Sequence, residues 1–166
     1  MSFARIGVLT MLVALAISAC ARTPRPVVDA GAVGAAFLAS NAKAPGVHVT
    51  ASGLQYRVIH SGPSEGPRPK PADEVKVNYE GKLLDGEVFD SSFERGTPMV
   101  ATLDHLIPGW IEALQLMRPG DEWLIYVPSS LGYGPKGKGP IPPDSVMVFK
   151  IDLIGVLPDE SSIGRG

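Results

Sequence analysis

The stretch VKVNYEGKLLDGEVFD, residues 75–90, constrains the fold more than any other part of the sequence. Along residues 75–83, apolar or small side chains alternate with polar ones, which is the period-two pattern of a β-strand with one buried face. Asp85-Gly86 then provides two residues that tolerate positive φ at both centres of a tight hairpin turn. Residues 87–90 predict the returning strand, so the whole stretch indicates an antiparallel hairpin.

The predicted hairpin brings three chemically useful side chains into one neighbourhood: Tyr79, Phe89 and Asp90. Two aromatic rings and a carboxylate on paired strands are suited to form the wall of an apolar pocket with a polar edge. The alternative is that both rings are ordinary core side chains of a half-buried hairpin. The hairpin alone does not distinguish the two interpretations.

Hydrophobic patterns elsewhere predict the remaining elements of the domain. Alternation predicts strands at 52–59, 122–127 and 145–156, and a change to helical spacing over residues 108–117 predicts one short helix. The apolar side of this helix consists of Trp110, Ile111, Leu114 and Met117. With the hairpin, these elements predict the α+β class: a curled, mostly antiparallel sheet of about five strands wrapped over one short helix.

Residues 1–19 have the layout of a secretory signal, with Arg5 before an apolar run and small residues after it. As a helix, the apolar run of 12 residues, 6–17, would rise about 18 Å, which is shorter than the ~30 Å core of a bilayer. An uncleaved helix that spans the membrane is therefore the weaker alternative. Ile17-Ser18-Ala19-Cys20 resembles the lipobox of bacterial lipoproteins, in which the thiol of the cysteine carries lipid. We therefore expect an exported protein, acylated at Cys20, at the outer membrane or the periplasmic face of the envelope.

Four regions follow from these patterns. A lipoprotein signal peptide covers residues 1–19, a lipidated tether with a short helix covers 20–45, a folded domain covers 46–157 and a polar tail covers 158–166. The Ala-rich run 31–42 predicts the helix of the tether, which is too short to be stable alone. The apolar side of that helix would consist of Val33, Phe37 and Leu38.

Several classes of function are disfavoured by what the sequence lacks. The formal net charge of −2 leaves no basic excess for binding nucleic acid. His48, His60 and His105 have no ligand-spaced partners, so neither a metal site nor another cofactor is predicted. No phosphate-binding loop, dinucleotide fingerprint or nucleophile elbow occurs. Covalent and metal-assisted catalysis are therefore not expected.

Five motifs occur in the order found in one enzyme family: VNYEGKLLDGEVFDSS (77–92), IPGWIEALQLM (107–117), LGYG (131–134), IPP (141–143) and VFKIDLI (148–154). Together they resemble the FKBP-type peptidyl-prolyl cis–trans isomerases, and most of all the bacterial Mip-like lipoproteins of that family. The resemblance covers about residues 46–156. It implies a curled antiparallel sheet around a short helix, in agreement with the layout predicted from the hydrophobic pattern.

The resemblance also implies the residues of a site for proline-containing polypeptides. Catalytic positions would be Tyr79, Phe89, Asp90, Trp110 and Tyr133. Substrate-binding positions would be Arg95, Met99, Leu106, Ile107, Ile141 and Phe149. Rotation about an Xaa-Pro bond breaks no covalent bond, which agrees with the lack of a recognisable nucleophile.

Some positions depart from the family pattern. Met99 and Ala101 stand where many members carry aromatic residues, which predicts a softer pocket wall and a poorer fit to macrolide inhibitors. The loop 135–140 is about one residue shorter than in eukaryotic members. The long helical domain that dimerises some relatives does not precede the motifs, so we expect a monomer. The competing interpretation is a lipid-anchored chaperone or surface module that binds proline-containing segments with little catalysis.

Overall fold

The computed structural model describes residues 29–159. Its helices and strands, in chain order, are α1 (Ala30–Asn41), β1 (His48–Val49), β2 (Gln55–His60), β3 (Glu74–Leu83), β4 (Val88–Ser91), α2 (Ser92–Arg95), β5 (Met99–Thr102), α3 (Pro108–Leu116), β6 (Glu122–Val127) and β7 (Met147–Leu157). Short 3₁₀ turns occupy Leu103–His105, Ser129–Leu131 and Gly134–Lys136. The predicted signal peptide, Cys20 and most of the polar tail lie outside the described residues.

The strands form one antiparallel sheet in the order β1-β2-β6-β7-β3-β4, with β5 also paired to β3. This confirms the predicted α+β class. The sheet has seven strands where the sequence pattern indicated about five. The two additional strands are β1 and β5, which have two and four residues, too few to display a period of two.

The longest strand pairing in the sheet joins β3 to the last strand, β7. It runs from Glu74 to Leu83 of β3. Every second residue of β3 is buried, as the alternation predicted: Val75, Val77, Tyr79, Gly81 and Leu83. The same faces of β6 and β7 supply Trp123, Ile125, Val127, Phe149 and Ile151 to the core. The prediction of one buried face along this hairpin strand is therefore confirmed.

The turn between β3 and β4 differs from the predicted two-residue turn. Leu83 N donates to Glu87 O at 2.9 Å, which closes a three-residue loop over residues 84–86. Only Gly86 takes a positive φ, at 92°. Asp85 keeps a negative φ, and its carboxylate instead accepts a hydrogen bond from Glu87 N at 3.0 Å. A single left-handed residue at the third loop position is the common geometry of three-residue hairpins.

Helix α3 packs against the buried face of the sheet and contributes to the core. Trp110, Ala113 and Leu114 are buried, and Met117 follows them at the end of the helix. Gly109 lies at the start of the helix, where an added Cβ would come within 2.7 Å of a Val127 methyl group. The first turn therefore approaches β6 closely, and this approach sets the position of Trp110.

Helix α1 packs on the opposite face of β6, because Tyr126 points away from the core and meets Phe37 with ring centroids 5.8 Å apart. Gln55 joins the helix to β2, since its side chain accepts from Asn41 and donates to Leu38 O. The predicted helix therefore forms and is supported by the domain. None of the helices within residues 29–159 combines the length and the apolar character needed to cross a bilayer.

The predicted apolar side of α1 is wrong in one position. Val33 is 43% exposed, whereas Gly34 is buried. A Cβ at Gly34 would lie 2.6 Å from a Val146 methyl group, so the helix backbone itself contacts the loop before β7. A glycine at a helix contact is invisible to a search for large apolar side chains.

Candidate active site

A cavity of about 460 Å³ opens between the β3–β4 hairpin, β5, the start of α3 and the loops that follow β6. This volume lies within the range typical of small-ligand sites. The lining residues are Tyr79, Phe89, Asp90, Met99, His105, Leu106, Ile107, Pro108, Trp110, Tyr133, Lys138 and Phe149. Most of them are aromatic or aliphatic, so the cavity is an apolar space with a few polar groups at its edge.

Four rings form the inner wall of this cavity, and we call them the aromatic cup: Tyr79, Phe89, Trp110 and Phe149. The Trp110 ring meets Tyr79 at 5.0 Å and 87° and meets Phe149 at 5.3 Å and 90°. Phe89 meets Phe149 at 5.6 Å and 86°. All three contacts are edge-to-face, the arrangement that aromatic quadrupoles favour. These perpendicular rings belong to the core on one side and line the cavity on the other.

Gly81 allows two of these rings to approach each other. It lies on β3 opposite Phe149 and Asp90 in the strand register. A Cβ at this position would lie 2.7 Å from ring carbons of both Phe89 and Phe149. A glycine inside a strand often marks such a close approach. Gly81 therefore sets the spacing of the two phenylalanine rings.

The polar edge of the cavity is a network of Tyr79, Asp90 and Arg95. The Tyr79 hydroxyl donates to Asp90 Oδ2 at 2.5 Å. Arg95 forms an ion pair with Asp90 Oδ1 and donates from Nη2 to the Tyr79 hydroxyl at 3.0 Å. Both carboxylate oxygens of Asp90 are thus engaged, and the tyrosine ring is fixed in orientation.

This network shifts the ionisation of two of its members. Burial raises the pKa of Tyr79 above its ordinary value of 10.0, the hydrogen bond to Asp90 raises it further, and Arg95 opposes the change. The hydrogen bonds to Tyr79 and Asp90 raise the pKa of Arg95. The Tyr79 hydroxyl therefore remains a donor, and Arg95 remains a cation, throughout the neutral pH range.

The short helix α2 returns Arg95 to the hairpin. Ser91 caps its start by accepting from Glu94 N at 3.3 Å, and Gly96 ends it with a left-handed φ of 67°. Ser92 is fully buried, and its hydroxyl accepts from Tyr79 N at 2.8 Å. This bond ties α2 to β3 at the residue whose ring forms part of the aromatic cup.

Among the hydrogen-bond donors at the cavity that have no partner within residues 29–159, a backbone amide and a hydroxyl are suited to a peptide. One is the backbone N–H of Ile107, which precedes the first turn of α3. The other is the hydroxyl of Tyr133, whose half-buried ring lines the opposite side. Both are available to a carbonyl oxygen of a bound peptide.

The structure brings most of the predicted site residues to one cavity. Nine line it: Tyr79, Phe89, Asp90, Met99, Leu106, Ile107, Trp110, Tyr133 and Phe149. Arg95 lies behind the edge, in contact with Asp90 and Tyr79. Ile141 is not among the residues that line the cavity, and its side chain is buried in the core. Its contact with substrate stays a prediction.

Sequence reasoning missed five residues of this site: Gly81, Ser92, His105, Pro108 and Lys138. A glycine at an inward strand position was a usable signal for Gly81. Ser92 and Pro108 lie inside the quoted motifs but were not singled out, and nothing in the sequence distinguished His105 and Lys138 from ordinary loop residues. Within the described residues, no group of three His, Cys, Asp or Glu side chains is placed to hold a metal ion.

The sequence matches the family described as FKBP-type peptidyl-prolyl cis-trans isomerase over residues 66–154. Residues 24–58 match the domain amino-terminal to that isomerase. The chain belongs to the FKBP family. The first match includes all the residues that line the cavity, and the second includes α1 and β1.

Two curated relatives and one solved structure illustrate the similarity. The chain is 50% identical over 127 residues to the FKBP-type 22 kDa peptidyl-prolyl cis-trans isomerase of Escherichia coli K12, covering 76% of this chain and 61% of the relative. It is 48% identical over 126 residues to the outer membrane protein MIP of Legionella longbeachae, covering 75% and 53%. The crystal structure of a peptidyl-prolyl cis-trans isomerase from Pseudomonas syringae pv. tomato superposes with a TM-score of 0.73 at 36% identity, covering 82% and 99%.

These figures confirm the predicted family and its Mip-like branch. The chain spans between 53% and 61% of the length of the two curated relatives. The matched segments nevertheless contain the whole aromatic cup and the Tyr79–Asp90–Arg95 network.

Proposed function

We propose that this protein is a peptidyl-prolyl cis–trans isomerase that accelerates Xaa-Pro bond rotation in exported proteins by binding the twisted amide. The observation that carries the proposal is the edge-to-face packing of Trp110 against Tyr79 and Phe149, which leaves an apolar concavity open to solvent. A pyrrolidine ring is compact and apolar and fits such a surface. Membership of the FKBP family supports the same assignment.

The cavity would act on the barrier and not on the equilibrium. Resonance in the planar amide produces a barrier of about 18–20 kcal/mol, whereas the cis and trans forms differ by only about 0.5–1 kcal/mol. The planar amide carries more charge separation than the twisted one. Transfer from water into an apolar space therefore disfavours the planar forms more than the twisted form, and the barrier falls.

Two free donors would hold the substrate during the rotation. The Ile107 N–H and the Tyr133 hydroxyl face a peptide that enters the cavity, and each donates to a carbonyl oxygen of the substrate. Fixing the chain on one side of the prolyl bond allows the other side to turn. Every 1.36 kcal/mol removed from the barrier raises the rate about tenfold, so a few such contacts are sufficient.

The polar edge would keep the wall in place while the amide turns. Asp90 orients Tyr79 through the 2.5 Å hydrogen bond, and Arg95 balances the carboxylate charge. The rotating carbonyl then passes a fixed, electrically compensated edge. In this proposal Asp90 and Tyr79 are the members of the network that meet the substrate, and Arg95 is a positioning residue.

A second candidate function is a module that binds proline-containing segments with little catalysis. Met99 lines the cavity where many members of the family carry an aromatic residue, which is the observation that favours it. A flexible thioether defines a wall less sharply than a ring does. The same substitution predicts weaker binding of macrolide inhibitors than in a Met99→Phe variant.

NMR exchange spectroscopy separates the two candidates without a coupled protease. The full chain, purified in mild detergent, is added at about one part per hundred to a capped peptide with one Xaa-Pro bond. Isomerase function predicts faster cis–trans exchange in proportion to protein concentration, and no acceleration in the same detergent alone. Binding that shifts the peptide resonances without faster exchange would favour the second candidate.

The location that fits the sequence is the cell envelope, with the protein anchored by lipid on Cys20. The signal-like residues 1–19 and the lipobox resemblance support this, and a relative of 48% identity is named an outer membrane protein. Residues 20–45 would connect the anchor to the catalytic domain over 46–157, with 158–166 as a tail. Palmitate labelling of the wild type that is lost in Cys20→Ala is the expected result. Equal labelling of both proteins would contradict the anchor.

A further inference from the structure

The charged groups around the cavity are unequally compensated. Both oxygens of Asp90 are engaged by Tyr79 and Arg95. His105 lies with Nε2 3.7 Å from the carboxylate of Asp104. Lys138 also lines the cavity, yet its ammonium forms no ion pair with any carboxylate of residues 29–159. It is the uncompensated cation among the cavity-lining residues that the structure describes.

The backbone of Lys138 is held at the rim. Its N–H donates to Ile141 O at 3.0 Å, and Ile141 N donates back to Lys138 O at 2.9 Å. Gly137 and Gly139 on either side take positive φ angles of 63° and 55°. Because Ile141 is buried in the core, the two hydrogen bonds anchor this part of the loop to the body of the domain.

The side chain of Lys138 extends over a residue of the proposed site. Its Nζ lies 5.1 Å from the ring centroid of Tyr133, within the range of a cation–π contact. This contact places the ammonium over the ring whose hydroxyl we assign to a substrate carbonyl. A peptide held by Tyr133 therefore passes next to a positive charge that lacks a carboxylate partner.

We propose that Lys138 gives the site a preference for substrates that carry an acidic side chain on a residue adjacent to the proline. This inference rests on the proposed isomerase function. Lys138 is exposed, so solvent screens the attraction. Ion pairs between exposed groups increase binding roughly 1.5- to 5-fold, and we expect a preference of that size.

Two pairs of capped peptides test the preference. One pair places Glu or Gln before the proline, the other places Glu or Gln after it, and acetyl and amide caps remove terminal charge. NMR exchange with the full chain gives the ratio of kcat/KM for Glu over Gln at each position. We expect a ratio of about 1.5 to 5 at one or both positions, and a smaller ratio at 0.5 M NaCl.

Variants assign the effect to Lys138. Lys138→Gln should bring the ratio to about one, and Lys138→Glu should bring it below one. Lys136→Gln is the matched control, because it removes the same charge from the same loop at an exposed residue that does not line the cavity. It should retain the wild-type ratio. A loss of preference in Lys136→Gln equal to that in Lys138→Gln would overturn the assignment to Lys138.

The outcomes separate this inference from the function on which it rests. Acceleration of the Gln peptides with a Glu to Gln ratio of one at both positions would refute the preference and leave the isomerase intact. No acceleration of any of the four peptides would refute the isomerase itself. A ratio above one that persists in Lys138→Gln would mean that another group selects the carboxylate.

Discussion

The domain contains two aromatic clusters built around its two tryptophans, and their geometry differs. The aromatic cup surrounds Trp110 with perpendicular rings. The second cluster, which we call the aromatic stack, consists of His48, Tyr56 and Trp123. Its rings are nearly parallel, with Tyr56 and Trp123 at 4.4 Å and 10° and His48 and Tyr56 at 5.0 Å and 22°. Both indole N–H groups are buried without a hydrogen-bond partner among residues 29–159.

The two clusters contain similar residue types and differ in how their rings are arranged. The parallel rings of the aromatic stack lie face against face across β1, β2 and β6, and we assign this cluster a packing role. The perpendicular rings of the aromatic cup line the cavity, so in our proposal this cluster contributes a surface for a ligand. Similar residues thus have a structural role at one edge of the sheet and, in our proposal, a catalytic role near the other.

The largest expected effect separates the two tryptophans. Trp110→Ala and Trp123→Ala each remove a buried indole and should cost about 3–5 kcal/mol of unfolding free energy. Only Trp110→Ala should also lower kcat/KM, by at least about tenfold, since the proline loses its floor. Denaturant unfolding measures the stability of each variant. NMR exchange, recorded under conditions in which both variants are folded, measures kcat/KM. Equal losses of activity in two folded variants would mean that the clusters do not differ in function.

The spacing of the aromatic cup can be changed at Gly81. An added methyl group would push against the rings of Phe89 and Phe149, so Gly81→Ala should cost about 1–3 kcal/mol and lower kcat/KM several-fold. Gly155→Ala is the matched control on β7, because a Cβ there meets no atom within 4 Å. It should change stability by no more than about 0.5 kcal/mol and leave activity unchanged. Normal activity in Gly81→Ala would show that ring spacing is unimportant.

A smaller effect is expected from a single hydroxyl at each cluster. Tyr133→Phe removes one proposed donor to substrate, a loss of about 0.5–1.5 kcal/mol that corresponds to roughly a two- to tenfold fall in kcat/KM. Tyr56→Phe makes the same chemical change in the aromatic stack and should leave kcat/KM unchanged. Circular dichroism should report an intact fold in both. An unchanged rate in Tyr133→Phe would remove this residue from the mechanism.

The smallest expected effect concerns the ionisation of Tyr79. The folded-state pKa of Tyr79 is raised above 10.0. The stability that its protonated hydroxyl contributes is therefore fully present below pH 10.0 and is lost as the pH rises through the folded-state pKa. Asp90→Leu removes the hydrogen bond that raises the pKa, so Tyr79 should ionise at a lower pH, and turnover should fall while the fold is kept.

Ultraviolet titration of tyrosinate measures this change. The Tyr79 contribution is the difference between each protein and its Tyr79→Phe counterpart, in the wild-type and Asp90→Leu backgrounds. A Tyr79 titration that is identical in the two backgrounds would contradict the coupling between the hydroxyl and the carboxylate. Wild-type turnover in Asp90→Leu would contradict the proposed role of the polar edge.

Parts of the fold were predictable because buried side chains recur with the period of the strand or helix that carries them. The alternation along 75–83 placed five inward residues correctly, and helical spacing placed Trp110, Leu114 and Met117 on the buried side of α3. Strands β1 and β5 were not predictable, because they are too short for a pattern and form only by pairing with β2 and β3. Their signal lies in tertiary contacts that local sequence does not contain.

The site was predictable where a side chain itself forms the surface, and not where a backbone or a loop does. The four rings of the aromatic cup were anticipated from their motifs. Gly81 was missed because its role is to lack a side chain, and Lys138 because a hydrogen-bonded loop brings it to the rim. The hairpin turn differed because a three-residue loop needs only one left-handed residue, at Gly86.

The most direct test of the difference between the two clusters is the contact made by proline. Intermolecular NOEs between the pyrrolidine protons of a bound Xaa-Pro peptide and the two tryptophan indoles can be measured in one sample. We predict NOEs to the Trp110 indole and none to the Trp123 indole. Contacts to Trp123, or binding without any contact to Trp110, would contradict the assignment of the aromatic cup as the proline site.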